Sequence, residues 1–148
     1  MPVRTKQLDA GLGVIIMAEG LVTSQEYDET LTKHLSQPDE VIKKYIYTIV
    51  DSTNTTKFSV ELKYLKKNAQ HCMAVAKINP HVIISMVTES AVLFSVARVW
   101  TLLAHATGWN IEVFRTRKDA DKWLLQKLHD MHAIDTLKLD HEEGTVNV

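Results

Sequence analysis

Short runs of apolar and β-branched residues recur along the chain, and longer segments with apolar residues at helical spacing separate them. The short runs predict five strands, at residues 3–8, 14–17, 45–50, 81–87 and 109–114. Asp9, Gly11 and Gly13 stand between the first two runs, so these two strands are expected to form a hairpin. Gly20 is expected to end the second strand.

The longer segments predict helices, and the first of them carries a clear start signal. Thr23 and Glu26 have the spacing of a capping box, in which each side chain bonds the other residue's backbone N–H. This pattern predicts a helix over residues 24–36, whose apolar face is expected to carry Tyr27, Leu31 and Leu35. A second helix is expected over residues 59–77, where apolar residues recur every three or four positions.

Two further helices follow in the second half of the chain. Ser90 is placed to cap the third helix, and Gly108 is placed to close it in a left-handed conformation. Thr116 is expected to cap the last helix. The residues of this helix that are expected to face the core are Ala120, Trp123, Leu124, Leu128 and Met131.

The element order is therefore β-β-α-β-α-β-α-β-α. Strands that alternate with helices predict an α/β fold with a mostly parallel sheet and flanking helices, and the opening hairpin makes the sheet mixed. One domain is expected over residues 1–134. The weakly alternating, charged residues 135–148 are expected to form a mobile or partner-dependent tail.

Charge and cysteine content exclude several classes of function. The 148 residues include 17 Lys and Arg against 18 Asp and Glu, a net charge of −1, whereas a nucleic-acid-binding domain needs a basic surplus. Cys72 is the only cysteine, which excludes an intramolecular disulfide and a cysteine-based zinc site. Since the N-terminal residues have no apolar stretch long enough for a signal peptide, we expect a cytoplasmic protein.

The sequence contains no constellation that favours catalysis. His129 and His132 are one helical turn apart, but a single such pair is a weak metal signal, and a solvated helix end explains it better. Cys72 falls on the apolar stripe of its helix, where a buried, inert thiol is expected. No phosphate-binding loop and no nucleophile elbow is present. We therefore expect a protein that is not an enzyme and needs neither cofactor nor metal.

One polar segment, residues 51–56, follows a strand that is expected to be central in the sheet. Ligands and partners of open α/β sheets bind at the carboxyl ends of strands, so the side chains of Asp51, Ser52 and Thr53 are candidates for partner binding. A solvated loop capped by its own Asp and Ser side chains is the plainer interpretation.

The third helix is apolar on nearly its whole circumference. Phe94, Val99, Trp100 and Leu103 are candidates for an apolar interface, because a helix on a sheet buries only one stripe. A second copy of the chain, a small apolar ligand or lipid, or a membrane surface would cover such a face. Cover by the C-terminal helix and tail is the alternative.

The segment from Trp109 to Leu124 resembles the SpoIIAA-like branch of the STAS superfamily. The last strand and helix of those proteins have a similar ending, matched here by Val113, Phe114, Arg115, Ala120, Trp123 and Leu124. The element order, Gly20 before a Thr-capped helix and the strand that ends at Asp51 also match. The resemblance implies a single STAS domain, similar to bacterial anti-sigma-factor antagonists.

The sequence departs from the phosphorylated antagonists of that family. Their Asp-Ser-Ser/Thr-Gly motif opens the helix after the central strand, whereas residues 57–61 here offer only Ser59. The resemblance implies a non-enzymatic binding or regulatory module. One hypothesis is a protein–protein interaction through Asp51, Ser52, Thr53 and Ser59. The other is a carrier of a small apolar ligand or lipid that uses the third helix.

Overall fold

The β-branched and aromatic runs form a five-stranded mixed sheet in a computed structural model that describes residues 3–137 and 146–147. The strands lie in chain order from one edge of the sheet to the other. β1 is antiparallel to β2, and each later pair is parallel, so the predicted hairpin and the predicted mixed sheet are confirmed. The strands are β1 (Val3–Leu8), β2 (Gly13–Thr23), β3 (Tyr47–Ser59), β4 (Ile83–Val87) and β5 (Asn110–Phe114).

Helices connect the parallel strands in the predicted order, except that a short helix over residues 39–42 was not predicted. They are α1 (Ser24–Leu35), α2 (Asp39–Ile42), α3 (Leu62–Ala76), α4 (Ala91–Leu103) and α5 (Arg117–His132). The predicted capping box of α1 is present, and the Ser90 and Thr116 side chains accept the expected backbone N–H bonds at α4 and α5. Gly108 has a φ of +73° and follows a short 3-10 turn at the end of α4.

Alternation along the strands divides the core into two layers. Ile49 and Ile83 pack on one face of the sheet against Leu124 and Leu128 of α5. Ile84, the next residue along β4, packs on the other face with residues of α3 and α4. Since α5 lies on the face opposite α3 and α4, the expectation that the C-terminal helix covers the third helix is wrong.

The prediction of a polar loop at residues 51–56 is also wrong, because these residues belong to β3, which continues to Ser59. Ser, Thr and Asn are typical of turns, but β2 offers a parallel partner that pairs Asn54 with Glu19 and Ser59 with Thr23. β4 ends at Val87, opposite Asp51. Residues 52–59, here named the β3 extension, therefore have β2 on one side and no described strand on the other.

Gly20 does not end β2 as predicted, and the start of α3 shifts for a related reason. Gly20 has a φ of +70°, and the pairing register with β3 shifts between Gly20 and Leu21. A glycine at such an irregularity lets the strand continue, which it does to Thr23. Since β3 runs to Ser59, the following helix begins at Leu62 rather than at Ser59.

α5 docks slightly differently from the prediction. Ala120, Leu124 and Leu128 are fully buried as expected, but Met131 is 42% exposed. Trp123 is half-buried and packs at the margin of the core, with its ring centroid 5.6 Å from that of Phe114. The helix is rotated about its axis relative to the prediction, so that Leu125 is buried and Met131 is not.

The C-terminal segment is described only in part. The described residues Thr136–Leu137 and Val146–Asn147 pair as two short antiparallel strands, β6 and β7. The prediction of a tail over residues 135–148 falls largely on residues 138–145 and 148, which lie outside the described part of the chain.

Candidate ligand pocket

A pocket of about 150 Å³ lies between the sheet and helices α1, α3 and α4. The sheet supplies one wall through side chains of β2, β3 and β4, and the three helices supply the others. Most of the lining is apolar, and it includes Ile16, Leu31, Val50, Leu65, Ile84, Met86 and Trp100. Water would form few hydrogen bonds with such a lining, so the pocket favours an apolar ligand.

The apolar stripes of the helices place these side chains. Tyr27, Leu31 and Leu35 recur at four-residue spacing on α1, as the sequence predicts, and all three line the pocket. Trp100 of α4 reaches across to α3 and donates its indole N–H to the Asn68 side-chain oxygen over 2.8 Å. This bond fixes the indole against the pocket and ties the two helices together.

Two hydroxyl groups, those of Tyr27 and Ser52, meet at the end of the pocket near the carboxyl ends of the strands. The oxygens of Tyr27 and Ser52 are 2.6 Å apart and share a hydrogen bond. Thr88 lines the same pocket and is 3% exposed, and its Oγ1 has no hydrogen-bond partner among the described residues. Burial raises the pKa of Tyr27 to about 12, and the nearby Asp51 charge adds to this, so the phenol is neutral at physiological pH.

The lining carries no basic charge. None of the described lining residues is Lys or Arg. His34 lines the pocket, and burial lowers its pKa, which favours the neutral imidazole. The pocket is therefore suited to an uncharged molecule.

The four residues predicted to bind a partner do not form one surface. The Thr53 backbone and hydroxyl both donate to Asp51 Oδ1, over 3.0 and 2.7 Å, and Asp51 Oδ2 is 3.3 Å from an Arg117 nitrogen. Ser52 lines the pocket on the other side of the sheet. Ser59 is exposed at the far end of the β3 extension, about 23 Å along the strand from Ser52 at about 3.3 Å per residue.

The four apolar residues predicted on the third helix are likewise divided. Trp100 is buried in the pocket wall, and Leu103 packs beside it in the same cluster. Phe94 is half-buried, with the Arg115 guanidinium 5.8 Å from its ring centroid. Only Val99 is exposed. The four residues therefore do not share one exposed face, because the helix turns Trp100 toward the sheet.

The side chains considered from the sequence for catalysis or metal binding are Cys72, His129 and His132. Burial raises the pKa of Cys72 to about 12, so its thiol is not a nucleophile at neutral pH. His129 contacts Asp135 at the end of α5. Within residues 3–137 and 146–147, no three His, Cys, Asp or Glu side chains are grouped as metal ligands. No helix in that part of the chain has the length and apolarity to cross a membrane.

Sequence reasoning missed Thr88. A threonine directly after a buried strand indicates only a strand end, and its place in the pocket lining depends on how the helices pack against the sheet. Tyr27 was expected on the apolar face of its helix, but its hydrogen bond to Ser52 could not be predicted, because Ser52 was expected to lie in a loop and lies in a strand.

The five-stranded mixed sheet with its flanking helices is a SpoIIAA-like α/β fold. A similar solved structure is that of an uncharacterized protein of the DUF3478 family with a SpoIIAA-like fold, from Shewanella loihica PV-4. The likeness covers 82% of this chain and 91% of that chain, with a TM-score of 0.50 and 16% sequence identity. No family model and no curated protein matches the chain. The fold predicted from the resemblance is confirmed.

Proposed function

We propose that this protein is a non-catalytic binding module that takes a small apolar molecule into the pocket between the sheet and α1, α3 and α4. The observation that supports the proposal is the apolar lining of a pocket of about 150 Å³ next to the Trp100 indole. Concave, mostly apolar pockets of this kind are where proteins bind small molecules.

The volume of the pocket narrows the range of ligands. Cavities of about 150 Å³ with an apolar lining take molecules of the size of benzene. Pockets for drug-sized ligands measure roughly 300–1,000 Å³. Between the two apolar ligands considered from the sequence, the volume therefore favours a single-ring molecule over a long-chain lipid.

The proposal is tested by titrating the protein with toluene and following backbone amide shifts by NMR. We expect saturable shifts at α1, α3, α4 and the facing strands. Ala97→Leu adds bulk inside the pocket and is expected to weaken binding at least tenfold. Ala91→Leu, at an exposed position of the same helix, is the matched control and is expected to leave binding unchanged. Shifts that are absent, or equal in both variants, would contradict the proposal.

A second candidate function, the binding of a protein partner, is favoured by the side of the β3 extension that faces no described strand. The strand pairs with β2, but its pairing with β4 stops at Asp51. Asn54, Thr56 and Lys57 are exposed there. An unpaired strand edge is a template on which an extended segment of another chain adds as a further strand.

This second candidate is tested by selecting extended peptides from a random library and mapping the contact by NMR. Peptides that bind as a strand are expected to shift the amides of residues 52–59. Methylating alternate backbone nitrogens of the peptide is expected to abolish binding, because main-chain hydrogen bonds supply the affinity. Selected peptides that leave the amides of the β3 extension unshifted would exclude this edge as the binding surface.

A further inference from the structure

We infer that the single ring that fills the pocket is an aromatic side chain of a partner peptide, which pairs with the β3 extension as an added strand and carries an acidic residue next to the aromatic one. The inference rests on the proposed function, because it names the kind of molecule that brings a ring to the same pocket. It joins the pocket and the edge of the β3 extension into one site.

The β3 extension is itself part of the pocket wall. Ser52 and Phe58 line the pocket, and both lie in the segment that faces no described strand on its β4 side. They are six positions apart, which places both side chains on the same face of an alternating strand, together with that of Val50. The pocket is partly open to solvent. A strand that pairs with the extension would therefore lie beside the pocket.

The direction of the side chains of such a strand follows from β4. An added strand would continue the line of β4, which ends at Val87 opposite Asp51. β4 lines the pocket through Ile84 and Met86, whose side chains are on the sheet face that α3 and α4 cover. Neighbouring strands present their side chains to the same two faces, so alternate side chains of the added strand would point beneath α3 and α4 into the pocket.

The chain on both sides of this position is exposed. Val60 and Leu62, which follow the β3 extension, are 41% and 53% exposed. Glu89 and Ala91, between the end of β4 and the first turn of α4, are exposed as well. A partner strand would remove the apolar surface of Val60 and Leu62 from water, which favours the contact.

The size and lining of the pocket select an aromatic anchor. A space of about 150 Å³ takes one six-membered ring. Phenylalanine carries such a ring on one methylene, so toluene is the analogue of its side chain. Tyr27 and Phe58 line the pocket with their ring centroids 5.6 Å apart, and a third ring gains from the same kind of contact. Aromatic anchors in pockets commonly carry much of the affinity of an interface.

Lys57 selects the residue next to the anchor. Its side chain is exposed, and none of the ion pairs in the described part of the chain includes it. Lys57 and Phe58 are consecutive, so their side chains point to opposite faces of the strand. A peptide whose ring is on the Phe58 face places the next side chain on the Lys57 face. An Asp or Glu there would form a cross-strand pair of opposite charge with Lys57.

The inference is tested by selecting eight-residue peptides from a random library against the whole protein, once in buffer and once with saturating toluene. In buffer, we expect peptides in which an aromatic residue has Asp or Glu as its neighbour. With toluene present, we expect this aromatic preference to disappear, because toluene occupies the place of the ring.

The dissociation constant of the tightest peptide, measured by fluorescence anisotropy, separates the contacts. Alanine in place of its aromatic residue, or Ala97→Leu in the pocket, is expected to weaken binding at least tenfold. Lys57→Glu is expected to weaken binding at least threefold, and a peptide with Lys in place of its acidic residue is expected to restore it. Lys77→Glu, exposed at the other end of α3, is the matched control and is expected to leave the affinity unchanged.

The outcomes distinguish the inference from the proposed function. If toluene binds in the pocket but no peptide is selected, or the selected peptides lack an aromatic residue or are not displaced by toluene, the inference is overturned and the proposed function stands. If Lys57→Glu and Lys77→Glu change the affinity equally, the peptide does not contact the β3 extension as inferred, and the inference is again overturned. If neither toluene nor any peptide binds, the proposed function fails together with it.

Discussion

The thiol of Cys72 illustrates how strongly the core controls a single residue. It is buried in α3, and desolvation raises its pKa from 9.0 to about 12, with the Asp28 charge as a smaller cause. We predict that the folded protein reacts with a thiol-specific disulfide reagent at pH 8 roughly a thousandfold more slowly than the unfolded chain, because only the thiolate attacks. Rapid labelling of the native protein would show that Cys72 is accessible and would contradict this burial.

Single residues whose role is local could be predicted from the sequence. Thr23, Ser90 and Thr116 cap their helices as expected, because a cap depends only on neighbours within three residues. Thr88 could not be identified as a pocket residue, because that place depends on how α1, α3 and α4 pack against the sheet. The caps could be predicted because their partners are close in sequence, whereas the place of Thr88 depends on residues that are far from it in sequence.

At the scale of elements, the number and order of strands and helices could be predicted, and the length of β3 could not. A run of Ser, Thr and Asn has a weak preference for strands, and the pattern alone favours a turn. The pairing of β3 with β2 overrides that preference across residues 52–59. Met131 and Trp123 show the same limit, because the roll of a helix on its sheet is set by packing rather than by periodicity.

The docking of α5 gives a prediction that separates buried from marginal residues on one helix. Leu124 is fully buried against Ile49 and Ile83, whereas Trp123 is half-buried at the margin. We predict that Leu124→Ala lowers the free energy of unfolding by about 3–4 kcal/mol, within the range for buried leucines. Trp123→Ala is expected to cost about 2 kcal/mol, because part of its ring already meets water. Chemical denaturation measures both values, and a larger loss for Trp123 would place the tryptophan at the centre of the core.

At the scale of the whole molecule, the resemblance anticipated the fold but not the pocket. The sequence shows an apolar face on α1, an apolar stripe on α3 and an apolar α4, and each pattern is typical of a helix that packs in a core. The pocket results from how three helices meet one sheet face, which no single element determines. The apolar side chains of α4 are consequently in two environments. Trp100 is buried in the pocket wall, and other apolar side chains of the helix are exposed to solvent.

The exposed apolar side chains of α4 lead to a prediction of the oligomeric state. Val92, Val99 and Leu102 are 69%, 43% and 76% exposed, and their spacing places them within one stripe of α4. The described residues of α5 lie on the other face of the sheet and do not cover this stripe. A second copy of the chain would cover it through a two-fold contact, in which the same stripe serves both partners.

We therefore predict a homodimer at tens of micromolar, measured by sedimentation equilibrium. Leu102→Ser is expected to weaken the dimer at least tenfold, because it removes the most exposed of the three apolar side chains from the contact. Leu21→Ser is the matched control, since Leu21 is 69% exposed on β2 and lies away from α4. It is expected to leave the dimer intact. A monomer in the unmodified protein would mean that α4 keeps this stripe in water, and an equal effect of both substitutions would place the contact elsewhere.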